Sequence, residues 1–151
     1  MSLDSCLYIR NNNSNEHVIN LVEIYASPLI HNWFDEHVDY DGCLSFNKIR
    51  ELHKLCEDIL ATVNTVVETT PGSDGVHEYP ISYEVLYPSL STVSLCKKAF
   101  PNKDIPGSKG KYQHQFFRDL RNIKQAFEIV FFLAESNNKM EDEYSICYCQ
   151  F

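Results

Sequence analysis

The chain has 151 residues, 44% hydrophobic and 13% aromatic, which fits a folded globule and excludes a disordered chain. Its net charge of −8 and pI of about 5.1 oppose nonspecific binding to nucleic acid or to an anionic membrane surface. No run of about 18 apolar residues is present, so no membrane span is expected, and MSLDSCLYIRNNN lacks the basic-then-apolar order of a secretory signal. The length suits one domain, taken as 1–151. Six cysteines at 6, 43, 56, 96, 147 and 149, with no C-x-x-C pair, read as reduced, mostly buried thiols of a cytosolic protein.

Leu3 to Ile9 alternates as a first strand, and Asn11-Asn12-Asn13-Ser14-Asn15 is a turn. Val18 to Tyr25 is rich in β-formers and reads as a second strand. Ser27 to Val63 carries the strongest pattern, a helical hairpin. Ser27 and Pro28 suit the start of a first helix, with Ile30, Trp33, Phe34, His37 and Val38 at helical spacing. Asp39-Tyr40-Asp41-Gly42 reverses the chain, and Gly42 supplies the positive φ a sharp turn needs. Ser45 caps a second helix whose face is Ile49, Leu52, Cys56, Ile59, Leu60 and Val63.

The stretch 64–112 holds most of the prolines and glycines and reads as an irregular excursion. Within it Val66 and Val67 form a short extended piece, Tyr79 to Leu86 a hairpin or edge strand, and Leu90 to Phe100 either a strand or a short helix. Gln113 to Ala134 is the third helix, with Phe116, Leu120, Ile123, Phe127, Val130 and Ala134 at spacings of three and four. Phe131, Phe132 and Leu133 widen its apolar face. Glu143 to Phe151 alternates as a last strand, in which Cys147 and Cys149 share one face. The expected fold is α+β: three main helices packed on a small antiparallel sheet, with the first and last strands paired.

No complete catalytic constellation is legible. Within two turns of the first helix, His31 and Asp35, or Trp33 and His37, lie four apart, and Asp39 and Asp41 offer oxygen ligands nearby. A solvated helix face accounts for them more simply. Asp39, Asp41 and Gly42 also resemble a calcium loop, but His37 and Lys48 stand where carboxylates are required. Cys43 with His37 or His53 has no third orienting group. Lys97, Lys98, Lys103, Lys109, Lys111, Arg118, Arg121 and Lys124 make a basic segment interleaved with Phe100, Tyr112, Phe116 and Phe117. Gly107-Ser108-Lys109-Gly110-Lys111 ahead of a helix has the look of an anion-binding helix start without the Walker spacing.

Taken together, SLDSCLYI, LIHNWFDEHV followed by DGCLSFNKIRELHKLCEDIL, GSKGKYQHQFFRDLRNI and the closing EYSICYCQF resemble a family of small uncharacterised bacteriophage proteins. Its members carry an "LDMYLY" opening strand, an "IHKWF" helix, a helix with "L…LC…L", a "G-S…Y…D-L" helix start and a "YYQ"-like last strand. The chain departs from that pattern between Asn64 and Pro106, where it is longer, and at Gln150-Phe151. The resemblance implies a phage accessory protein acting in the host cytoplasm, and it carries over no catalytic residue. The expected function is therefore non-catalytic: binding and inhibiting a host protein or defence system, as an anti-CRISPR does, through protein–protein contacts. The residues assigned to contact a partner or an anion are Trp33, Asp39, Asp41, Lys109, Lys111, Tyr112, Arg118 and Arg121, with no metal, no cofactor and no nucleic acid. The alternatives are a small-ligand or nucleotide sponge and, behind it, a metal- or cysteine-dependent enzyme.

Overall fold

The computed structural model describes residues 5–24, 28–70, 80–100 and 111–150. In chain order these form β1 (Ser5–Asn11), β2 (His17–Ile24), α1 (Pro28–His37), β3 (Cys43–Leu44), α2 (Phe46–Leu60), β4 (Asn64–Thr70), β5 (Ile81–Tyr87), α3 (Leu90–Ala99), α4 (Lys111–Ser136), α5 (Met140–Glu143) and β6 (Tyr144–Gln150). No helix among the described residues is long and apolar enough to cross a membrane.

The class is α+β. The main sheet is antiparallel, four-stranded and ordered β2-β1-β6-β3. β1 and β2 form a hairpin closed by the asparagine run. Asn11 Oδ1 accepts from the backbone of Asn13 at 2.9 Å and Ser14 at 3.3 Å, and Asn15 takes φ 58°, which asparagine tolerates. β6 runs antiparallel to β1 from Ser5 opposite Gln150 to Asn11 opposite Tyr144. The expectation named this pair alone. The sheet is wider, because β2 flanks β1 and Cys43–Leu44 flanks β6.

Among the described residues, five helices stand where three main ones were expected. The helical hairpin is also corrected: between α1 and α2 the chain returns to the sheet as β3 before Ser45 caps α2 through the Lys48 amide at 3.1 Å. The stretch 64–112 is largely regular in its described parts. Thr65, Val66, Val67 and Thr69 give β4 the branched side chains a strand favours, and β4 pairs in register with β5 as a second, two-stranded sheet. Leu90 to Phe100 resolves to helix because Ser89 and Thr92 form a reciprocal capping box.

One cluster of buried residues joins these parts. It takes Leu7, Ile9, Ile24, Leu44, Ile146 and Tyr148 from the main sheet and Leu86 from the second. Helices supply Ile30, Trp33, Phe34, Ile49, Leu52, Ile59, Phe116, Leu120, Ile123, Phe127 and Val130, and Phe100 joins them from just past the end of α3. Aromatic contacts run through it: Phe34 stacks on Tyr148 at 4.8 Å, while Trp33 and Phe116 meet Phe100 edge-on at 5.5 and 5.7 Å. α4 is the central helix, packed against α2, β2 and β5.

Candidate functional site

Side chains alternate across a strand, so the residues between the core positions face away from the helices. On β1 these are Cys6, Tyr8 and Arg10; on β6 they are Ser145, Cys147 and Cys149; on β3 it is Cys43. Four of the six cysteines therefore share one sheet face, as the cross-strand pairs Cys6 with Cys149 and Cys43 with Cys147. Cys43 Sγ lies 3.0 Å from Cys147 Sγ and 3.6 Å from Arg10 Nη2. Burial, then the hydrogen bond and charge of Cys43, push the Cys147 thiol up to about 12, while Arg10 and Tyr8 act in the opposite direction. The thiols and the Asp41 carboxylate raise the guanidinium of Arg10 in turn, chiefly through Cys147 and Cys43.

The loop ahead of β3 holds Cys43 in place. Asp39 Oδ1 accepts from the amides of Asp41 and Cys43, both at 2.9 Å, and the Asp39 amide donates to the Cys43 carbonyl at 2.8 Å. Gly42 takes φ +78°, and its carbonyl accepts from the Tyr148 amide at 2.9 Å. Asp39 is thus a turn-former, and Asp41 sits exposed on the same turn.

A second feature lies at the other side of the sheet. β2 is its outer strand among the described residues, and Val18 and Ile19 there are half exposed, at 53% and 50%. Beside them is an apolar groove of about 340 Å³ lined by Ile9, Val18, Ile19, Leu133, Met140 and Tyr144 among others. On α4, Ile129 and Phe132 are exposed by 46% and 67%. Large apolar side chains are thus left in solvent along the outer strand and the C-terminal half of α4.

The expected binding residues do not converge. Trp33 is 2% exposed and belongs to the core, its ring against Phe34, His37 and Phe100. Arg121 Nη1 pairs with Glu84 Oε2 at 3.1 Å, and Arg118 Nη2 donates to the Glu84 carbonyl at 3.4 Å. Both arginines therefore hold β5 against α4. Lys111 and Tyr112 open α4, and Lys109 with the rest of Gly107–Gly110 lies outside the described residues. His31 is buried and hydrogen-bonded to Ser5 and Tyr148. His53 meets Glu128 Oε1 at 3.2 Å and packs on Phe131. Among the described residues, no hydrogen bond joins His37 or His53 to Cys43, whose thiol is engaged by Cys147, Arg10 and the Asp41 carbonyl.

Sequence reasoning missed both features. The thiol face had one legible signal, the alternation that puts Cys147 and Cys149 together, but their partners come from remote strands. The groove had another, the excess of apolar residues at Phe131 to Leu133, more than one buried stripe requires. Comparisons with protein-family models, with curated proteins and with solved structures give no match for this chain.

Proposed function

We propose that this protein acts non-catalytically by holding another protein, and that its contact surface is the outer edge of β2 with the adjoining groove against α4. The observation that carries this reading is that Val18 and Ile19, half exposed, line that groove, while Ile129 and Phe132 stand exposed on the same half of α4 that supplies Leu133 to it. Exposed apolar surface of this kind marks interaction sites in folded proteins. The occupant that fits is an extended segment of the partner. β2 is the outer strand among the described residues, and a strand at a sheet edge pairs with an added strand through backbone N–H and C=O groups, while the groove takes alternate apolar side chains. The acidic balance of −8 favours a basic partner surface and speeds encounter with it. The resemblance to small phage proteins supplies the setting: a host protein or defence component as partner, inhibited in the host cytoplasm.

The test compares variants against a partner recovered from host lysate. Ile19→Glu and Phe132→Glu place charge at side chains that are half or more exposed, and each is expected to abolish recovery of a stoichiometric partner. Lys97→Ala with Lys98→Ala, on the exposed end of α3, is expected to leave recovery intact. Unchanged recovery with Ile19→Glu and Phe132→Glu removes the reading.

A further inference from the structure

We propose that Cys43 and Cys147 are a reversible redox site, oxidised by hydroperoxides to a cross-strand disulfide. The two residues are direct partners across β3 and β6. The bond from the Tyr148 amide to the Gly42 carbonyl, 2.9 Å long, joins the neighbours one position outside them. That places Cys43 and Cys147 at a non-hydrogen-bonded pair, where Cα atoms approach to about 4.5 Å and side chains are closest. A disulfide spans Cα separations from about 4.4 to 6.8 Å, so backbone rearrangement is not required. The Cys6 and Cys149 pair differs. The backbone groups of Tyr148 face β3, so those of Cys147 and Cys149 face β1, and Cys149 stands opposite Cys6 at a hydrogen-bonded, wider pair.

The two thiols also have distinct roles. Cys43 is itself buried, at 7% exposure, but it contributes to the wall of an open pocket of about 330 Å³ shared with Asp39, Ser45, Asn47 and Glu141, which gives a small oxidant its approach. A thiolate formed at Cys43 Sγ meets the Arg10 guanidinium at 3.6 Å. Cys147 is buried and keeps its proton until the second step. With hydrogen peroxide, the Cys43 thiolate attacks one oxygen, forming an S–O bond and breaking the O–O bond. The hydroxide released takes the proton that Cys43 gave up and becomes water. Cys147 sulfur then attacks the sulfenic sulfur of Cys43, forming the S–S bond and breaking the S–O bond. The second hydroxide leaves with the Cys147 proton as water. Two electrons pass from the sulfurs to the peroxide, and a small dithiol returns them.

The product ties the Asp39–Leu44 loop to β6 and closes a loop between positions 104 apart in the chain. The test treats the full chain with a small excess of hydrogen peroxide, blocks remaining thiols under denaturing conditions, and maps peptides by mass. The expected result is loss of two hydrogens, one peptide pair joined through Cys43 and Cys147, and full reversal by dithiothreitol. Oxidation raises the melting temperature, and reduction returns it. Cys147→Ser leaves a sulfenic acid at Cys43 that a dimedone probe captures; Cys43→Ser abolishes the linkage. Arg10→Gln slows oxidation about tenfold, as loss of a cation beside a reacting thiolate does. If Cys43 and Cys147 remain free after peroxide treatment, or Cys6 joins Cys149 in their place, the proposal is wrong. An unchanged rate with Arg10→Gln contradicts the role given to the guanidinium.

Discussion

At the scale of single residues, burial separates the inert thiols from the accessible ones. Burial alone lifts Cys96 to about 11, and burial is also the main cause that lifts Cys56 to about 12. Iodoacetamide applied to the native protein is therefore expected to leave Cys56 and Cys96 unmodified while Cys149, which is partly exposed, reacts. Alkylation of Cys56 at the rate of Cys149 would contradict the packing of α2 against α4. Glu128 offers a pH test. Hydrogen bonds from Lys124, then His53, hold its carboxyl below the ordinary 4.5. A carboxyl whose folded value is depressed contributes stability above its unfolded value and loses it as pH falls through the folded one. Glu128→Gln is thus expected to flatten part of the loss of thermal stability below pH 4.5. Because the pair is partly exposed, the effect at neutral pH stays under about 1 kcal/mol. A steeper acid transition in the variant would reverse that sign.

Among the elements, α4 and the Asp39–Leu44 turn carry the largest expected effects. Phe127 is fully buried at the centre of α4, so Phe127→Ala costs about 3–5 kcal/mol in chemical denaturation. Arg121→Ala, which removes only the exposed pair with Glu84, costs less than about 1 kcal/mol. If the two variants were equally stable, α4 would not be the centre of the core. Gly42→Ala meets no hard contact, since the added carbon lies 3.5 Å from the Tyr148 carbonyl oxygen. Its cost comes from the backbone at φ +78°, about 1–2 kcal/mol, and it loosens the turn that presents Cys43.

For the whole molecule, long periodic patterns were legible and long-range pairings were not. Phe116, Leu120, Ile123 and Phe127 announce α4 because each turn repeats the same apolar demand, and Ser45 and Gly42 announce cap and turn because their chemistry is local. β4, β5 and α3 were harder to read. Their runs are short, prolines flank β5, and α3 declares itself only through the box of Ser89 and Thr92. Trp33 looked like a surface anchor in sequence, yet its ring completes the core with Phe100, a residue from a different helix end. The pairing of Cys43 with Cys147 depends on sheet order, which no local pattern encodes. Exposure of Ile19 and Phe132 is likewise a property of the assembled surface. The proposed function rests on this surface meeting a partner. Amide hydrogen exchange of the protein with and without its captured partner tests it most directly. New protection is expected in His17–Ile24 and the C-terminal half of α4; protection confined to α2 or α3, with β2 amides unchanged, would overturn the proposed contact surface.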